Sequence, residues 1–247
     1  MRQFGHFVAT AATAGLLAGF AASPARAGVL TFDFGTLAAN PGGLCQRACV
    51  LPGAAGGQQF FTDQGVTIAA LGYAGVTETT VAGMIRATAT GGAYVTQKPG
   101  PLGAETGLGE SNTAPDSSDP DYEVAAHRAL VLDNSAALAL GYTPVSVTLG
   151  SLQDGESADV FGGGGFQNET LLGALTGTST PGSVLQTLAL SGTDGFVTIA
   201  GLAGNVTVVS ESFAPPPAKA VPEPATLALL GAGAIALLGA HRRSRRG

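Results

Sequence analysis

The 247-residue chain holds 17 carboxylates against 11 lysines and arginines, for a net charge of −6 at pH 7. The imbalance is concentrated in residues 28–220, where sixteen carboxylates face only Arg47, Arg86, Lys98, Arg128 and Lys219, and so strongly acidic a stretch excludes nucleic acid as a partner. With 38 glycines, no tryptophan and 6% aromatic residues, the composition favours many short strands and tight turns over a helical bundle.

In chain order, Arg2 precedes an apolar run from Phe7 to about Ala22, followed by small residues at Ala25 and Ala27. This is the order of a secretory signal peptide over residues 1–27, with signal peptidase expected to cut before Gly28. The apolar core is short for a membrane span. A first strand is expected over residues 29–34, where Leu30, Phe32 and Phe34 alternate with polar or small neighbours. Residues 38–59 read as a loop holding the only two cysteines, Cys45 and Cys49. Export places them in an oxidising compartment, which favours a local disulfide over two free thiols or a metal site. Strands are expected at 65–70, 84–90 and 93–97, with Gly91-Gly92 as a hairpin turn between the last two.

Residues 99–121 are polar and rich in Gly, Pro, Asp and Ser, as in a long surface loop. Asp116, Asp119 and Asp121, with Glu123 just beyond and Glu110 before, crowd carboxylates together there. They are either well solvated or neutralised by a cation. Calcium suits all-oxygen ligands, although EF-hand spacing is absent; no other cofactor is expected.

The second half is more regular, with strand-length segments at 128–133, 145–152, 156–162, 170–177, 183–190, 196–201 and 205–213, separated by turn signals such as Asp154-Gly155, Pro181-Gly182 and Asp194-Gly195. Such spacing predicts an all-β fold, an antiparallel two-sheet sandwich of jelly-roll type spanning residues 28–213. His6 and His241 lie in the terminal segments, which leaves His127 as the single imidazole of this domain and excludes two-histidine metal sites. No G-x-S-x-G elbow accompanies it, so no catalytic residues are assigned and the domain is read as non-enzymatic. His127 itself reads as a partly exposed residue at a strand edge. Gly162 to Gly165 read as a flexible turn, because no Gly-Lys-Ser/Thr follows to make a phosphate loop.

The C-terminal segment has four parts: a Pro-rich linker at 214–221, the sequence Val221-Pro222-Glu223-Pro224, an apolar run at 225–240, and a basic end with Arg242, Arg243, Arg245 and Arg246. The linker is a stiff spacer. The apolar run is expected to form a transmembrane helix whose arginines stay on the cytoplasmic side. Motif, span, basic end and position together resemble the PEP-CTERM sorting signal of exported proteins in Gram-negative bacteria. The resemblance covers the sorting tail at 222–247 and the preceding valine. It implies recognition by a membrane-embedded exosortase, cleavage near the motif, and transfer to the cell surface or the extracellular polysaccharide matrix. More diffusely, Gly107 to Gly109, Tyr122 to Val124 and the later strands resemble the β-sandwich ectodomains of PEP-CTERM proteins. The expected role is structural or adhesive display without catalysis, the alternative being a carbohydrate- or calcium-binding lectin-like module.

Overall fold

Strand formation follows the alternation seen in the sequence: in the first strand Leu30 and Phe32 are buried while Thr31 is exposed. The computed structural model describes residues 28–217 apart from 41–42, 48, 53, 83, 102–104, 112–121 and 179–183. The expected signal helix over 1–27 and transmembrane helix over 225–240 lie outside the described residues. Among the described residues, no helix is long and apolar enough to cross a membrane.

The first half contains β1 (Leu30–Asp33), β2 (Ala39–Asn40), β3 (Cys49–Val50), β4 (Gln59–Asp63), β5 (Val66–Ala74), β6 (Thr77–Val81), β7 (Met84–Thr88), β8 (Gly91–Lys98) and β9 (Gly107–Ser111). The second contains β10 (Val124–Ala125), β11 (Arg128–Asp133), the short helix α1 (Ser135–Ala139), β12 (Thr143–Leu152), β13 (Ser157–Gly163), β14 (Thr170–Thr176), β15 (Val184–Ala189), β16 (Phe196–Ala203) and β17 (Asn205–Ala214).

All pairings of the main sheet are antiparallel, along the path β14-β13-β16-β11-β5-β8-β9-β17-β12-β15. The path turns a corner at β8. Its first residues pair with β5, as in Gly72↔Ala93, and its later ones pair with β9, as in Thr96↔Gly109. One strand thus belongs to both limbs, and the two expected layers are joined as a single folded sheet. Side chains from both limbs fill one core, including Phe32, Phe61, Leu108, Leu130, Leu149, Ile199, Val208 and Phe213. Within it Phe32 meets Phe213 edge-on at 5.6 Å and Phe34 meets Phe61 at 5.3 Å, the geometry that aromatic quadrupoles favour.

The expected hairpin turn at Gly91-Gly92 is not formed. Both glycines are strand residues of β8 laid against β5, and a Cβ on Gly92 would meet the backbone of Ala55 and Gly56 at 2.6–2.8 Å. Close backbone approach, not a reverse turn, accounts for that glycine. The actual hairpin joins β6 to β7 in a separate two-stranded sheet, with Thr77↔Thr88 and Glu78↔Ala87 in register. It lies on the outer face of the β5-β11-β16-β13 limb and creates a second, smaller apolar cluster of Val76, Ala87, Ala129, Phe161 and Ala200.

The registers also define two poles. Leu30 pairs with Phe213 and Thr143 with Ala214, so the chain enters and leaves the domain at one end. At the other end lie β10, the turn at 126–127 and the Ser157↔Ala203 pairing. Ten residues of β17 separate them, a length of about 33 Å at strand rise.

Candidate functional site

Of the acidic residues singled out in the sequence, Asp116, Asp119 and Asp121 lie outside the described residues, and Glu123 is placed just before β10. Glu123 is buried and already neutralised: Lys98 Nζ makes a close ion pair with its Oε1, and Ser151 Oγ donates to the same oxygen at 3.1 Å. Lys98 also lies 3.8 Å from Glu105. Glu110, fully buried, accepts from Arg128 Nη1 at 3.0 Å. Tight packing holds this end together, since a Cβ on Gly109 would meet the Tyr122 carbonyl oxygen at 2.4 Å. Among the described residues no group of three or more His, Cys, Asp or Glu could hold a metal ion.

Cys45 and Cys49 are joined in a disulfide with their Cα atoms 6.1 Å apart. The segment is seated on β8 through Gln97, which stands opposite Cys49, accepts from the Cys45 N–H at 3.4 Å, and donates through Nε2 to the carbonyls of Phe34 and Leu37 at 2.7 and 2.8 Å. The disulfide thus closes a short local loop, and Gln97 seats that loop on β8.

At the pole where the chain enters and leaves, Glu211 stands in β17 opposite Phe32 and Val147, fully buried. Asn134 Nδ2 donates to its Oε1 at 2.7 Å, while Oε2 has no hydrogen-bond partner among the described residues. Burial pushes its carboxyl up to about 8; the Asn134 bond works against that rise and the charge of Asp194 adds to it. Glu169, also buried, is pushed up to about 7 for the same leading reason, with Thr198 Oγ1 donating to it at 2.8 Å and so opposing the rise. Asp194 itself accepts from the Ser191 hydroxyl at 2.7 Å and its backbone N–H at 3.0 Å.

The second acidic constellation is built by the β6–β7 hairpin. Glu78 is paired with Ala87, and Ala87 is buried against the sheet, so the register turns Glu78 to that same side. Beneath it, Asp159 stands opposite Ala200 on the outer face of β13, alternating with the core residue Val160. The two carboxyls meet there. Burial, then the Asp159 charge and a hydrogen bond with it, raise Glu78 to about 7; burial raises Asp159 as well, against the lowering effect of the Glu78 hydrogen bond.

Glu78 lines a recess of about 330 Å³ together with Val76, Thr77, His127, Ala200, Gly201 and Leu202. His127 occupies the left-handed backbone region at φ 63° in the turn before β11, and its side chain is exposed; imidazole residues tolerate this region better than most. The turn is held by His127 N–H donating to Gly201 O at 3.0 Å and Val76 N–H donating to His127 O at 2.8 Å. Gly201 has no alternative here, because a Cβ would meet the Ala125 carbonyl oxygen at 2.2 Å. The sequence gives no spacing that joins Glu78 to Asp159, and it marks His127 only as a strand-edge residue; the fold alone brings Glu78 and His127 to one recess, with Asp159 against Glu78.

Val221, Pro222, Glu223 and Pro224, with the four tail arginines, lie outside the described residues. Residues 220–246 match the PEP-CTERM protein-sorting motif. No curated protein and no solved structure matches the chain.

Proposed function

We propose that this chain is an exported bacterial protein, released from its leader by signal peptidase, held briefly in the membrane by the helix at 225–240, and transferred by an exosortase to the surface or the extracellular polysaccharide, where its β domain serves a structural or adhesive role without catalysis. The observation that carries the reading is the sorting motif at 220–246, which implies export, transient anchoring and surface location. The fold supports it. The described domain begins and ends at one pole, where Leu30 pairs with Phe213, so removal of either terminal segment leaves every described strand in place. The linker starts from this pole too: Gly141, at φ 84°, lies where a Cβ would touch Pro216 at 3.1 Å, so the first prolines rest on the domain before the chain departs. A stiff, Pro-rich connection at this end turns the opposite pole outward.

Deletion of residues 221–247 tests the reading. The expected result is loss of surface retention with a folded domain released to the medium; unchanged surface localisation overturns it. Mass spectrometry of the mature protein should show residues 1–27 gone and a new C-terminus near Pro222.

A further inference from the structure

We propose that two copies of this chain pair along the free edge of β15, strand against antiparallel strand, so that the sheet continues across a two-fold axis. The inference rests on the fold and on charge, and not on the sorting motif.

The first observation is an edge. β15 ends the path of the main sheet and pairs only with β12 among the described residues, in a ladder that is regular from Ala189 to Gln186. Its contacts with β14 run through side chains: Gln186 Nε2 donates to Thr176 O at 2.6 Å, and Leu188 lies over Gly173. β14, at the other end of the path, is flanked by the β6–β7 hairpin, where Leu171 joins Ile85 in the small outer cluster and Arg86 donates to Asn168 at 3.1 Å. A free edge presents a row of backbone donors and acceptors that another strand can satisfy, and lysine, proline or a charge commonly guards it. Val184–Ala189 carries none of these.

The second observation is charge. Residues 170–193 hold no Asp, Glu, Lys, Arg or His, the longest such run between residues 28 and 220, and Thr143–Leu152 of the adjoining β12 holds none either. The rest of the domain is strongly acidic, so two copies repel one another except where they meet through this neutral edge. Depletion of charge is also what sets the core of a protein interface apart from ordinary surface.

The third is self-complementarity. Leu185, Thr187 and Ala189 are exposed, Leu185 at 42%, while Gln186 and Leu188 are half-buried and Leu188 packs against the core. Residues opposite one another in an antiparallel pair share a face, so the two-fold axis must pass through a residue. Through Thr187 it keeps Leu185 to Ala189 paired, sets the large Leu185 against the small Ala189 of the second copy, and brings Thr187 opposite itself. The contact is isologous and closes at a dimer.

The test is sedimentation velocity of the full-length protein in mild detergent over a range of concentrations. A reversible dimer is expected, tightened by added salt because the copies share a net negative charge. Leu185→Lys should weaken it about tenfold or more by burying an unpaired charge, whereas Leu202→Lys, at a residue 41% exposed near the opposite pole, should leave it unchanged. Leu185 is exposed, and an unchanged circular dichroism spectrum of its variant separates lost pairing from lost folding. Cys45 and Cys49 are bonded to each other, so Thr187→Cys supplies a single free thiol; mild oxidation should give a covalent dimer on a non-reducing gel, and Leu202→Cys should not. A monomer at every concentration would overturn the proposal and leave the edge to a different protein. So would a dimer loosened by salt, one weakened equally by Leu185→Lys and Leu202→Lys, or failure of Thr187→Cys to cross-link.

Discussion

Two groups of carboxyls, one at each pole, put the same side chain to different uses. Glu211 is sealed in the core between Phe32 and Val147, with Asn134 as its donor. Glu78 stands on the exposed β6 strand and lines a recess open to solvent, with the buried Asp159 against it. Desolvation raises the proton affinity of both. What separates them is access: Glu211 is cut off from solvent, whereas Glu78 is open to it. A raised carboxyl marks desolvation first, and on its own it does not mark a site.

The largest effect that could break this contrast is pH. The folded-state value of Glu211, about 8, lies above the unfolded value of about 4.3, so the native state binds the extra proton between them. The stability this confers is fully present below the unfolded value and is lost as pH rises through the folded one, a decline on the order of 4 kcal/mol. Glu169 shifts in the same direction and adds to the slope. Urea unfolding from pH 4.5 to 8.5 should therefore show falling stability, and Glu211→Gln should flatten most of it. A flat profile in the parent protein would break the picture of a sealed, protonated acid.

Next in size is truncation. Glu211→Ala removes the closer acceptor of Asn134 and opens a cavity in the core, with an expected loss of about 3 kcal/mol at pH 5, measured as a shift in the urea midpoint. The smallest effect sharpens the comparison from the other side. Glu78→Gln should change stability at pH 7 by less than about 0.5 kcal/mol, because the side chain sits on an exposed strand. A large loss there would make the hairpin acid structural after all.

Much of the strand pattern was legible in the sequence. The segment Arg128–Asp133 occurs as read, and the last two strands begin at Phe196 and Asn205 as expected, because each is a strand-length run rich in apolar and β-branched residues and bounded by turn residues. Harder to read were segments whose environment is made by other elements. Thr77–Val81 is exposed throughout, so it carries no burial pattern and was missed as a strand. Gly91 and Gly92 look like a turn in isolation, and only the approach of Ala55 and Gly56 makes them strand residues. Glu123 reads as one of a cluster of acids on a loop, whereas Lys98, 25 residues earlier, claims it. The disulfide was legible because its two cysteines are close in the chain and have no competitors.

The sequence by itself determined where this protein is addressed and what class of fold it takes. Sorting motifs are contiguous, and strand alternation is a property of neighbouring residues, so both survive without a structure. Only the tertiary structure decided which acids are neutralised, which are sealed and which face a recess. Those outcomes depend on desolvation and on partners up to 81 residues apart, as with Glu78 and Asp159, and a packed core sets them by distance in space while the chain records only distance in order.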